Sequence, residues 1–274
     1  MPELPEVETI KRILEPQLTG RGIVRVHILQ AKVIAYPEAE EFAAHLTRHC
    51  IRGMTRRGKF LQLMLESGDR LCLHLRMTGQ LLVTPADHPE EKHTHLVLEL
   101  SDGKQLRYLD QRRFGRFWLL PGGEADTVTG MEKLGLEPDD PALTAEWLRG
   151  KLGRRDRAIK ELLLDQSIVC GIGNIYSDEI LFACGIAPDR SGRSLSGQEW
   201  TRLAETIPAI IAWGIETNAM TAEEYLAGKG KEYRNTPDLR VYGRGGKPCV
   251  NCGTPLVCRR IGSRSSCSCP DCQR

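Results

Sequence analysis

The first residues able to do chemistry stand at the start of the chain, in MPELPEVETI. A small residue at position 2 permits removal of the initiator methionine, which would leave Pro2 a free secondary amine with a pKa below that of lysine. Such an amine is nucleophilic near neutral pH. Its attack on a carbonyl-level carbon gives an iminium ion, an electron sink, and Glu3 beside it can move protons. Helix-start preferences account for Pro5 and Glu6, and Val7, Ile10, Ile13 and Leu14 recur at helical spacing, which predicts a helix over 5–14. They do not account for Pro2, which precedes the periodic stretch.

The second pattern closes the chain. CVNC at 249–252 and CPDC at 269–272 offer two pairs of thiolates at the spacing of a four-cysteine zinc site. A segment this short has almost no apolar core, so ligation is what folds it. Cys249, Cys252, Cys269 and Cys272 would hold one structural Zn²⁺, with no open position for hydrolysis. Cys258 and Cys267 are extra; Cys267 could compete as a ligand, although the paired spacing favours the other four. Without a secretory signal, a disulfide framework is the weaker reading. Cys50, Cys72, Cys170 and Cys184 sit in apolar surroundings and read as buried thiols.

Net charge is only +2 and the isoelectric point near 8.0, so bulk charge barely favours an anionic partner. Its distribution says more. Basic residues bunch at 52–59, 107–116 and 149–160 and again from Arg234 to Arg274, as a phosphate-tracking surface requires. Arg264, in the small-residue hairpin tip RRIGSRSS, could reach a phosphate. HLRMTGQ places Met77, and DQRRFGR places Phe114, among arginines and turn residues, where apolar wedges that enter a base stack would sit. GIGN at 171–174 is a tight turn at a helix start, suited to a single backbone phosphate. Composition and the shortness of every apolar run exclude a membrane span, and no signal peptide is expected.

These residues need elements to hold them. GIVRVHIL, KFLQLML, RLCLHLRM, HLVLELSDGKQLRYLD and RFWLLP read as strands, the fourth folding on SDGK, with one helix, EAEEFAAHL, between them. A linker-like stretch from Gly122 precedes a run of helices in TAEWLRGKL, RAIKELLLDQ, IYSDEILFACG and SGQEWTRLAETIPAIIAW. The cysteine-rich hairpin follows.

MPELPEVET, RRGKFL, HLRMTGQ, DQRRFG, LLLDQ, GIGNIYSDE, VYGR and the paired knuckles occur in an order that resembles bacterial formamidopyrimidine-DNA glycosylases, base-excision enzymes of the helix–two-turn–helix family. The MPELPEV start fits this branch better than the endonuclease VIII group. The resemblance implies an α+β fold: a mainly antiparallel N-terminal β-sandwich with an N-terminal helix (1–130), a helical helix–two-turn–helix domain (131–235) and a zinc-finger β-hairpin (236–274). It implies that Pro2 attacks the sugar carbon C1′, that Glu3 serves the sugar oxygen, that Lys59 acts in strand scission by β,δ-elimination, and that Arg264 acts from the zinc hairpin. His74, His93, Arg112, Arg155 and Asn174 match DNA contacts. Met77, Arg112 and Phe114 match the residues that fill the gap left by an everted nucleotide.

The same resemblance implies one structural zinc and a monomer acting on duplex DNA with oxidised bases or abasic sites. No membrane is involved, and the protein would work in the bacterial cytoplasm at the nucleoid. One departure stands out. The family's GG[ST]T and G-x-FQ stretches are missing from the loop at 217–238, so lesion choice is expected to differ. The rival reading, a damage-binding paralogue with little turnover, is disfavoured by intact Pro2, Glu3 and Lys59.

Overall fold

The computed structural model describes residues 2–230 and 236–274. Met1, whose removal the amine chemistry requires, and 231–235, part of the atypical run, lie outside the described residues. The chain divides into two compact units, one built on 6–132 with Pro2 and the segment from Ala219, the other on 3–5, 133–218 and the C-terminal tail.

Helix α1 (Leu4–Leu18), which belongs to the first unit from Glu6 onward, buries Val7, Ile10, Ile13, Leu14 and Leu18, the stripe its periodicity predicts. Two sheets follow. One has four antiparallel strands in the order β1 (Ile23–Ile28), β7 (Thr94–Leu100), β8 (Lys104–Asp110) and β6 (Gly79–Pro85). The other has five, in the order β2 (Ile34–Tyr36), β9 (Arg116–Leu120), β5 (Arg70–His74), β4 (Phe60–Leu65) and β3 (Ile51–Arg57). Within these two sheets β2 and β9 pair in parallel and the other neighbours pair antiparallel. The inner faces of both sheets, α1 and α2 (Ala39–Leu46) share one apolar core, in which Phe42, Leu63, Leu73, Leu98, Leu106 and Phe117 are buried. The β7–β8 hairpin turns where expected, with Gly103 at φ 81°.

Strands β2, β3 and β6 are additions to the sequence reading. All three are edge strands. In β3 only Ile51 and Met54 are buried; Arg52 is exposed and Arg56 is held 3.1 Å from Glu8, so a strand reads as a charge run. Charged residues on an edge also discourage pairing with other chains.

The second unit holds α3 (Ala145–Leu152), α4 (Ile159–Leu163), α5 (Asn174–Cys184) and α6 (Gly197–Thr217), then the hairpin β10 (Val257–Ile261) and β11 (Arg264–Ser268). Helix α5 is buried on nearly every side and carries buried charge. Asp178 accepts from Lys160 Nζ at 2.5 Å, from Ser266 Oγ at 2.6 Å and from the Cys267 N–H at 3.1 Å, which ties α4 and β11 to one carboxylate. Glu179 accepts the N–H groups of Arg240, Val241 and Tyr242, which fixes VYGR. Gly214 of α6 lies against Tyr176, where a Cβ would come within 2.4 Å of the ring.

The run at 217–238, read as a loop, contains a helix. Thr221 and Glu224 form a reciprocal capping box that starts α7 (Ala222–Ala227), and its Tyr225 is buried in the first unit's core. The TAEE spacing was the available signal.

Candidate active site and zinc centre

In the first unit, Pro2 lines a cavity of about 610 Å³ with Met77, His93, Asp110, Gln111 and Lys229. His93 is half-buried with φ 69°, and its carbonyl accepts the Asp110 N–H at 3.0 Å. Asp110 organises the adjoining DQRRFG loop. Its carboxylate accepts from Thr78 Oγ1, from Tyr108 Oη at 2.9 Å, and from the N–H groups of Gly115 at 2.9 Å and Arg112 at 3.1 Å. Burial alone would raise its pKa, but these hydrogen bonds hold it below the usual carboxylate range. The sequence reading missed Asp110, although an aspartate bonding the backbone two residues on is an ordinary turn signal.

On that loop Arg112 places its guanidinium 3.1 Å from Met77 Sδ and 4.6 Å from the centroid of the Phe114 ring. Met77 and Phe114 remain 43% and 46% exposed. The three expected wedge residues therefore form one projecting cluster.

Lys59 is buried at the β3–β4 turn, after Gly58 with φ 52°. His74, whose partner in the β4–β5 register is Phe60, is buried edge-on against that ring. Burial first, then the charges of Arg76 and Lys59, push its pKa down to about 3, and its Nδ1 accepts the Arg76 N–H at 3.0 Å. His74 is therefore a neutral imidazole at neutral pH.

In the second unit, Glu3 is buried, and its carboxylate accepts the N–H groups of Ile175 at 2.9 Å and Tyr176 at 3.2 Å. Those two donors at the start of α5, just past GIGN, hold a carboxylate of the chain itself, whose negative charge the helix terminus favours. Asn174 begins the same helix, with its Oδ1 buried and without a hydrogen-bond partner among the described residues. Arg155 is exposed between α3 and α4, and Arg264 is exposed at the start of β11.

The sulfurs of Cys249, Cys252, Cys269 and Cys272 lie within 4.8 Å of one another, with separations of 3.9 Å for Cys249–Cys272 and 3.5 Å for Cys252–Cys269. Four ligands at ~2.3 Å around a tetrahedral zinc stand roughly 3.8 Å apart, so this donor set fits the ion. The N–H groups of Asn251 and Cys272 point at Cys249 and Cys269 sulfur, each at 3.4 Å, and support thiolates there. Cys258 and Cys267 do not compete for the metal. They face each other across the hairpin and form a disulfide, a pairing set by the β10–β11 register.

The family model for the formamidopyrimidine-DNA glycosylase N-terminal domain matches residues 1–117, and that for the H2TH domain of the same enzymes matches 134–225. The chain belongs to the formamidopyrimidine-DNA glycosylase family. Relatives of that name in Pelotomaculum thermopropionicum and Moorella thermoacetica are 42% identical over 100% of this chain and 99% of theirs, and 46% identical over 93% of each. Among solved structures, a complex of Lactococcus lactis Fpg with oxidised-pyrimidine DNA superposes with a TM-score of 0.91 at 32% identity over 100% of both chains. The same enzyme with Fapy-dG DNA gives 0.88 at 32% identity, over 99% of this chain and 100% of that one. The α+β class read from the sequence matches this fold family. Among the described residues no helix is long and apolar enough to cross a membrane.

Proposed function

We propose that this chain is a bifunctional DNA glycosylase and AP lyase of base-excision repair, acting on duplex DNA that carries oxidised purines or abasic sites. The observation that carries the reading is the joining of Pro2 and Met77 in one cavity wall with the Met77–Arg112–Phe114 cluster. A nucleotide turned out of the stack leaves a void, and an exposed thioether, guanidinium and aromatic ring held together can fill it while the sugar meets the amine.

In this reaction the Pro2 nitrogen forms a bond to C1′ as the bond from C1′ to the base breaks, and the base leaves with a proton. Glu3 protonates the ring oxygen, the sugar opens, and the nitrogen and C1′ become an iminium ion. Loss of a proton from C2′ then expels the 3′ phosphate, a second elimination expels the 5′ phosphate, and Lys59 assists scission. The zinc held by Cys249, Cys252, Cys269 and Cys272 supplies no chemistry; it keeps the hairpin that presents Arg264 folded.

Borohydride reduction on an 8-oxoguanine or formamidopyrimidine duplex tests the reading. Protein with a free Pro2 is expected to give a covalent complex, and protein retaining Met1 is expected to give none. Equal trapping by both would remove Pro2 as the nucleophile. Lesion binding with no trapping by either would favour a damage-binding protein.

A further inference from the structure

A second set of potential metal ligands meets in the first unit, apart from the cysteines. A ring nitrogen of His45, a ring nitrogen of His49 and a carboxylate oxygen of Asp69 lie within 4.8 Å of one another. None of the three lines the Pro2 cavity or enters the proposed chemistry.

The chain goes to some conformational expense to place His49. Helix α2 ends at Leu46, Thr47 leaves it in extended conformation, and Arg48 takes a left-handed φ of 75°. A non-glycine residue adopts that conformation only under constraint from its surroundings. Strand β1 supplies the constraint: Arg48 N–H donates to the Ile23 carbonyl at 2.7 Å, and Ile23 N–H donates to the His49 carbonyl at 2.8 Å. The reversal stacks the His49 ring on His45, with centroids 5.6 Å apart.

Asp69 reaches the same place from the β4–β5 turn. Its Oδ1 accepts the Gly122 N–H at 2.7 Å, and its Oδ2 accepts from Ser67 Oγ at 2.8 Å and bonds His45 Nε2 at 2.7 Å. The carboxylate is thus oriented before any ligand arrives, and its side chain is 10% exposed while that of His45 is 45% exposed. An ion pair explains His45 and Asp69. It does not explain why the strained reversal brings a second imidazole to the same point.

Two imidazoles and one carboxylate are a donor set for borderline divalent cations, zinc foremost. We propose that His45, His49 and Asp69 form a second Zn²⁺ site, open to water at its remaining position. The ion takes the place of the proton between His45 Nε2 and Asp69 Oδ2, and that proton passes to solvent. The pair at 2.7 Å then opens by roughly half an ångström, to the spacing of two ligands held at ~2.0–2.1 Å from one ion. Exposure of His45 leaves room for that movement. Ser67 and Gly122 keep the carboxylate aimed, as partners of metal ligands commonly do. Occupancy clamps the end of α2 to the β4–β5 turn.

The test is equilibrium dialysis of the full-length protein, its cysteine cluster already zinc-loaded, against submillimolar Zn²⁺. A second equivalent is expected, and His49→Ala, which leaves the His45–Asp69 bond in place, should weaken it at least ~10-fold without loss of the first equivalent. Asp69→Asn should do the same. If that variant misfolds by circular dichroism, His49→Ala alone decides. Absence of a second equivalent, or equal binding by folded His49→Ala, overturns the proposal.

Discussion

The carboxylate of Glu3 accepts the backbone N–H of Ile175 at 2.9 Å, so a side chain from the start of the sequence completes the N-terminus of α5. Gly173 makes this possible, because a Cβ there would stand 2.2 Å from the Glu3 carboxyl carbon. Gly173→Ala should therefore displace Glu3, and Glu3→Gln should remove its charge with little change of shape. Both are expected to slow base excision by about 10²-fold or more if Glu3 moves the proton at the sugar. Single-turnover excision measures this, and normal rates in both variants would remove Glu3 from the mechanism.

Gly115 and Phe114 separate loop stability from wedge function. A Cβ at Gly115 would lie 1.9 Å from Tyr108 Oη, so Gly115→Ala should cost roughly 1–3 kcal/mol in denaturant unfolding and impair excision. Phe114 is 46% exposed, so Phe114→Ala should stay within about 0.5 kcal/mol of the parent while excision still slows. Unchanged excision by Phe114→Ala would argue that the ring does not enter the duplex.

Metal analysis of freshly purified protein should find zinc at the cysteine cluster. Cys252→Ser is expected to lose that metal and affinity for lesion DNA together, since ligation and folding of the hairpin are coupled. Cys258→Ser breaks only the disulfide and should retain the zinc. Release of metal by Cys258→Ser would overturn the ligand assignment.

His74 makes stability depend on pH. Burial, with Arg76 and Lys59 nearby, holds its folded pKa at about 3, whereas the unfolded side chain titrates near 6.5. The unfolded chain then binds more protons as pH falls below the higher value, so stability is full above it and declines until the lower one is passed. The single-site contribution is about 2 kcal/mol between about pH 7.5 and 5.0. Urea melts at the two pH values should show a smaller decline for His74→Gln, and identical declines would mean that His74 does not titrate this way.

The atypical run at 217–238 bears on lesion choice. Its described part folds as α7 and places Lys229 and Gly230 in the wall of the Pro2 cavity. Discrimination among everted bases rests on pocket hydrogen bonds worth roughly 1–3 kcal/mol each. Formamidopyrimidines are expected to be excised faster than 8-oxoguanine. Single-turnover rates with each lesion opposite cytosine decide it, and equal or faster removal of 8-oxoguanine would refute it.

The sequence by itself determined what depends on near neighbours. Helical spacing from Val7 to Leu14 is enough to specify α1, the SDGK turn to specify the β7–β8 hairpin, and two knuckles to bring four thiolates together. HLRMTGQ and DQRRFG marked Met77 and Phe114 because apolar residues among arginines and turn residues stand out without any fold, and the family resemblance added Arg112. Tertiary structure decided the rest. Glu3 meets Ile175 across a separation of 172 residues, and no local pattern encodes a hydrogen bond of that span. Asp110 became the hub of its loop only when β6 and β8 paired and brought Thr78 beside it. Strand β3 was hidden because an edge strand with two buried residues carries no alternating pattern. The Cys258–Cys267 pairing needed the hairpin register, and the meeting of His45 and His49 with Asp69 needed a left-handed Arg48 held by β1. Local spacing fixes which face a side chain takes; long-range backbone hydrogen bonds fix what it meets there.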